Sequence, residues 1–259
     1  MNSSSKVHQE EPNEEESANY LFHYTTEMNH LVSIMNDFFM PFYCMESLDY
    51  LNLTEFKTEG MAYPLVCFCD IPLSRHKLHK RKFGEYGIGM KKEWGMKNHL
   101  SAVVYTHSKS MTITSLSILI NMARLIQEKL TEEESQVFNN SVSLLIMHYK
   151  SYEGRQFIKE ESLFANEITC FYNEREWRYI PLDVDGLKIS LKISEYRNTQ
   201  ILHEQNKLIQ KNNRLKFNLN DVEFLFLKNE AEIDLFLSKL SLKYSEEDKR
   251  EIKKKIRFK

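Results

Sequence analysis

Residues 63–73, YPLVCFCDIPL, set the first constraint on the fold. A bounded apolar run of this length with β-branched and aromatic members reads as a buried strand, and Pro72, which has no N–H to give a ladder, stops it. A buried strand needs neighbours. LSAVVYTHS (100–108), ITCFYNEREWRYIPL (168–182) and DVEFLFLK (221–228) supply them as further strand candidates. LFHYTT (21–26) is a short strand whose end carries His23 and Tyr24. It runs straight into TEMNHLVSIMNDF, where Met28, Leu31, Ile34, Met35 and Phe38 recur at three-and-four spacing, so a helix follows with Thr25 or Thr26 as its N-cap.

Helical periodicity dominates the middle of the chain. SLSILINMARLIQEKL and SQVFNNSVSLLIMHYK both carry it, and the acidic TEEE between them has the composition of a helix start. The expectation is a helical hairpin inserted over about 112–150. A polar helical segment over 196–212 and an amphipathic helix in EAEIDLFLSKLS (230–241) complete the elements. The expected organisation is a disordered acidic leader (1–18), one domain (19–245) carrying the hairpin, and a basic tail (246–259) read as a solvated helix end. No internal repeat is present.

Composition narrows the function classes. Thirteen Tyr and 16 Phe against 7 Gly and 5 Pro exclude collagen-like, mucin-like and wholly disordered chains. A net charge of -2 provides no global positive field for nucleic acid or an acidic membrane, so any such contact must be local, with RHKLHKRK the obvious place. The first residues lack the apolar core of a signal peptide, and no run approaches the roughly 20 apolar residues of a membrane span. Four cysteines without C-x-x-C spacing fit a reducing compartment, with Cys67 and Cys69 as small buried hydrophobes. The expected location is the cytoplasm, with no contact to a membrane.

Most catalytic signatures are missing. His76 and His79 lie one helical turn apart but have no second pair to complete a zinc site, so no metal is expected. FGEYGIGM holds Gly84, Gly87 and Gly89, which marks backbone that turns tightly or approaches a ligand closely, yet it matches neither a Walker loop nor G-x-G-x-x-G. No G-x-S-x-G elbow occurs. The remaining candidate is FYNEREWRYIP. As a strand it places Tyr172, Glu174, Glu176 and Arg178 on one face, which serves equally for cross-strand ion pairs or for chemistry by a carboxylate.

Together, FHYTT, CFCDIPL with FGEYGIGM, and NEREWRYIP, in that order, resemble the AbiGi-type abortive-infection family of bacteria, described as antitoxins of phage-resistance pairs. More distantly the layout resembles ADP-ribosyltransferase-like folds, including the DarT toxins. That resemblance implies an α+β fold, with a mixed, mostly antiparallel, split sheet flanked by helices and the hairpin as an insertion. It implies NAD as substrate, with transfer of ADP-ribose to a protein or nucleic-acid acceptor, or NAD cleavage. His23 and Thr25 would contact the adenosine-side ribose, Tyr86 or Tyr24 would stack on the nicotinamide with Phe68 also at the cofactor, and Arg75 and Arg178 would meet the pyrophosphate. Glu176 would be the catalytic acid, Tyr86 its companion, and Glu174 the neighbour most easily confused with it. A carboxylate is what such a reaction needs, because breaking the nicotinamide–ribose bond develops an oxocarbenium-like cation. The other implication is a non-catalytic antitoxin that binds and neutralises a cognate toxin.

Overall fold

The computed structural model describes residues 19–51, 60–75, 82–158, 161, 163–181 and 186–258. The acidic leader and His76 and His79 with most of RHKLHKRK lie outside the described residues. The described strands and helices are β1 (Tyr20–Thr25), α1 (Met28–Asp37), β2 (Phe42–Glu46), β3 (Met61–Cys69), β4 (Tyr86–Lys91), α2 (Lys92–Lys97), β5 (Ser101–Ala102) and β6 (Val104–Thr106). Then come α3 (Met111–Ile126), α4 (Glu132–His148), β7 (Tyr149–Ser151), β8 (Glu153–Ile158), β9 (Leu163–Cys170) and β10 (Glu176–Tyr179). The chain closes through β11 (Leu191–Lys192), α5 (Ile193–Arg197), α6 (Thr199–Asn212), β12 (Val222–Phe226), α7 (Ile233–Ser238), α8 (Glu246–Lys255) and β13 (Ile256–Arg257).

The apolar run forms β3, the spine of the main sheet. Its first half pairs with β2 and β11, and its second half pairs with β1 and β10, all antiparallel. The sheet continues in the order β13-β12-β4-β1-β3-β10-β5, with β12 and β13 parallel and the rest antiparallel. This is a mixed, mostly antiparallel sheet whose two halves diverge along one strand.

Alternation along β3 sorts the packing. Ala62, Val66 and Phe68 point to one face, where α5 and α6 cover the first half, and α1, α2, α7 and α8 cover the second. Met61, Tyr63, Leu65, Cys67 and Cys69 point to the other face, where Ile113, Leu116 and Ile120 of α3 and Ile146 and Met147 of α4 pack on Tyr63 and Leu65. Thr131 opens α4 with a capping box, its hydroxyl accepting from the Glu134 amide while the Glu134 carboxylate accepts from the Thr131 amide. The supposed basic tail belongs to the domain: α8 buries Ile252, and Ile256 of β13 joins the same core.

Three local expectations change. The helix after LFHYTT is capped by Glu27 without a side-chain bond, and Thr25 Oγ1 instead lies 3.0 Å from Nδ1 of His30. FYNEREWRYIP is not a single strand, because residues 171–174 form a 3-10 turn and Arg175 is left-handed at φ 43°. In the glycine cluster, Gly84 has φ +115° and an added Cβ would meet the Thr25 carbonyl oxygen at 2.1 Å, so only glycine suits that turn. Gly87 and Gly89 do make close approaches, but within the protein: the Tyr24 ring and the His23 carbonyl lie over the first, Phe22 and Phe224 over the second.

Candidate functional site

β10 has four residues, and two of them are buried charges. Glu176 lies opposite Cys69 and Arg178 opposite Cys67, so both project to the face that carries the α3–α4 hairpin. Arg178 is 0 % exposed and Glu176 5 %. Such burial is tolerated only when charges are paired and their hydrogen-bonding capacity is used.

Both conditions are met. Nε of Arg178 donates to Oε1 of Glu176 at 2.7 Å, and Nη2 of Arg178 donates to Oε1 of Glu46 at the end of β2. Its Nη1 donates to the carbonyl of Met147 in the last turn of α4. Lys150, in β7 just after that helix, places Nζ 2.7 Å from Oε2 of Glu176, 3.0 Å from Oε2 of Glu174 and 3.6 Å from Oε1 of Glu46. Lys82 closes the chain on Glu174 at 2.6 Å. Three carboxylates thus face three cations. The turn at Arg175 brings Glu174 into this set, although strand alternation no longer applies there.

The cluster fixes its own protonation state. Burial alone would raise the Glu176 carboxyl, but Arg178 and Lys150 outweigh it and hold the group well below the usual carboxylate range. Burial opposes the Lys150 charge too, and Glu176, Glu46 and Glu174 reverse that and hold the ammonium well above its ordinary value. The neighbouring Cys44 thiol is pushed up to about 11 by burial and then by Glu46 and Glu176, which leaves it a protonated, unreactive thiol at neutral pH. Tyr105 completes the frame, its hydroxyl accepting from the Glu176 amide at 2.9 Å.

A cleft of about 290 Å³ opens beside the cluster, with Glu46, Asp49, Lys150, Arg155, Phe157 and Phe171 on its walls. Lys150 stands at the junction. Its Nζ also lies 4.9 Å from the centre of the Phe171 ring. Glu176 is therefore one ion pair behind the cleft rather than on its surface. Among the described residues, no group of three or more His, Cys, Asp or Glu is arranged to hold a metal ion.

The candidate residues from the sequence divide between the two faces of the sheet. Glu176, Arg178 and Tyr24 share the hairpin face, where Tyr24 stacks on Phe22 in an aromatic layer with Cys69 and Phe226. His23, Thr25, Phe68 and Tyr86 lie on the opposite face. There His23 Nδ1 donates to the Cys67 carbonyl at 2.8 Å, and its ring packs edge-on against Phe39 and tilted against Phe68. Burial lowers its pKa, only partly offset by that hydrogen bond, so the imidazole is neutral. Tyr86 donates to Oε1 of Glu232 at 2.9 Å, and burial with that bond pushes its phenol up to about 12. Arg75 is exposed in a 3-10 turn beyond β3. The structure thus does not gather the eight residues around one ligand.

Glu46, Lys150 and Lys82 were not foreseen. Glu46 lies 132 residues from Arg178, and Lys150 lies 26 from Glu176. The only local hint is a charge at the edge of apolar sequence, FYCME and LLIMHYK.

A family profile described as "Putative abortive phage resistance protein AbiGi, antitoxin" matches residues 37–228. The chain belongs to the AbiGi family. A Lactococcus lactis subsp. cremoris protein named "Abortive phage resistance protein AbiGi" is 26% identical over 207 residues, covering 73% of this chain and 82% of that protein. No solved structure matches. All six members of the ion cluster fall inside the stretch matched to AbiGi, whereas LFHYTT precedes it. Among the described residues of this AbiGi chain no helix is long and apolar enough to cross a membrane.

Proposed function

We propose that this chain serves abortive phage resistance as an antitoxin, binding and neutralising a partner toxin without consuming NAD. The observation that carries this reading is the engagement of Glu176. A transferase must present a carboxylate to the ribose cation, whereas here each Glu176 oxygen sits 2.7 Å from a cation, behind Lys150. Freeing it would take from the buried Arg178 one of its two carboxylate partners, leaving Glu46. The wording of the family description agrees with this reading. The test is co-expression with the protein encoded beside this chain's gene. Restored growth together with co-elution of the two proteins supports the reading, and a neighbour that stays toxic and elutes separately refutes it.

A second reading retains NAD, and the cleft favours it. Glu46 and Lys150 line that space and Lys150 touches Glu176, so a shift of Lys150 would bring the carboxylate to a ligand there, with Arg178 beside it. This is the ADP-ribosyltransferase-like reading, with a protein or nucleic acid as acceptor. On the observed geometry it would use Glu176 and Arg178 and would leave His23, Thr25, Phe68 and Tyr86 as structural residues. Calorimetry with millimolar NAD, followed by proton NMR for released nicotinamide, separates the two. Absence of both heat and nicotinamide removes the second reading.

A further inference from the structure

By its described side chains, the α3–α4 hairpin is anchored at one end only. Its buried side chains are Ile113, Leu116, Ile120, Ile146 and Met147, all near the sheet. From residue 121 to residue 145 no described side chain is buried. The far end is nonetheless apolar: Met122 is 56 % exposed, Leu125 77 % and Val137 62 %. Ile126, Leu130, Val137 and Phe138 line a groove of about 440 Å³ between the two helices there, with Glu133 and Glu134 at its edge. An exposed apolar patch of this kind, gathered along one groove, marks an interaction surface.

The charge around the groove selects the occupant. Between Gln127 and Ser135, Glu128, Glu132, Glu133 and Glu134 stand against the single cation Lys129. An apolar trough with an anionic rim fits an amphipathic helix whose apolar face is flanked by lysine or arginine. The chain's own N-terminal leader is a poor match, since residues 1–18 carry five glutamates and one lysine. Like charge likewise disfavours an anionic lipid surface.

We propose that the distal groove of the hairpin is the surface that captures the toxin, through a cationic amphipathic helix of that partner. The proposal rests on the antitoxin reading for the partner's identity, while the groove's preference is open to a separate measurement. A short Leu/Lys amphipathic peptide, with leucines at i, i+3, i+4 and i+7, serves as the probe, and a matched Leu/Glu peptide as the control. Fluorescence anisotropy on the full chain should show binding of the Leu/Lys peptide, weakening with salt, and none of the control. Leu125→Ser with Val137→Ser should weaken it by about tenfold or more. Glu133→Lys should weaken the Leu/Lys peptide and admit the Leu/Glu one. These side chains are exposed, so the variants should keep the wild-type Tm.

Equal binding of both peptides, or binding indifferent to the variants, overturns the proposal. So does a wild-type dimer that these variants dissociate, which would make a second copy the occupant, or co-sedimentation with phosphatidylglycerol vesicles through the same residues. If the doubly substituted chain still neutralises the neighbouring toxin in cells, the groove is not the capture surface although the antitoxin reading stands. If even the wild type fails to neutralise, it is the antitoxin reading that fails, and with it the toxin as the groove's occupant.

Discussion

Arg178 lies fully buried with its Nε 2.7 Å from Oε1 of Glu176, two residues earlier on the same strand face. Neither charge could occupy that position alone, and their pairing ties β10 to β2 through Glu46 and to the end of α4 through Met147. The cluster therefore joins the hairpin to the sheet. Glu176→Gln keeps the shape but removes the charge, leaving Arg178 and Lys150 facing two carboxylates instead of three. The expected loss is on the order of 3–5 kcal/mol, read as a lower urea midpoint. Glu176→Gln with Arg178→Met should cost less than the sum of the singles, because each removes the partner whose absence penalises the other. Additive losses would show that the two residues do not act as a pair.

Acid should expose the same cluster. Glu176 has a folded-state pKa below its unfolded value of about 4.3, so the unfolded chain binds more protons as pH falls. Its contribution is complete above that unfolded pKa and is lost as pH drops toward the folded one. Lys150 behaves oppositely: its folded pKa lies above the unfolded value of about 10.4, so its share is intact below that and lost only in stronger alkali. Urea midpoints of wild type and Glu176→Gln measured from pH 7 to pH 3 should draw closer as Glu176 of the unfolded chain takes up its proton. Parallel curves would mean that Glu176 titrates alike folded and unfolded.

A different pH window belongs to His23. Burial holds its folded pKa below the unfolded value of about 6.5, so stability is greatest above that pH and falls as the imidazole is forced to take a proton. The slope can reach about 1.4 kcal/mol per pH unit for one group. His23→Gln retains a donor for the Cys67 carbonyl without titrating. Between pH 7 and pH 5 the wild type should lose stability relative to that variant, checked by Tm across the same buffers. An equal decline in both would place the acid sensitivity elsewhere.

What the sequence disclosed follows the range of each interaction. Period and composition are local, so the spine at β3, the two hairpin helices and the helix start at TEEE could be read from neighbouring residues. Strand alternation was equally local and put Glu176 and Arg178 on one face. It failed at Glu174, where a left-handed Arg175, unsignalled by any glycine, ends the strand. The partners of Glu176 were beyond reach because β2, β7 and β10 are far apart in sequence. The division of the candidates between two faces was likewise hidden, since it depends on pairing register: Phe22, not His23, lies opposite Cys69.

The glycine cluster separates two physical roles that look identical in sequence. At Gly84 a side chain would strike backbone, the carbonyl of Thr25 at 2.1 Å, in a conformation with φ +115° that L residues rarely adopt. At Gly87 an added Cβ would meet the edge of the Tyr24 ring at 2.8 Å and the His23 carbonyl oxygen at 3.0 Å. At Gly89 the neighbours at 2.7 and 3.0 Å belong to Phe22, a ring with 1 % exposure that cannot move freely. Neither of these two glycines has a positive φ, so alanine should destabilise most at 84 and less at 87 and 89. Overpacking at 89 should cost roughly 1–3 kcal/mol. Thermal melts of the three single variants give the order directly, and a Gly87→Ala loss equal to that of Gly84→Ala would mean that the left-handed backbone at 84 adds nothing to the cost of close contact.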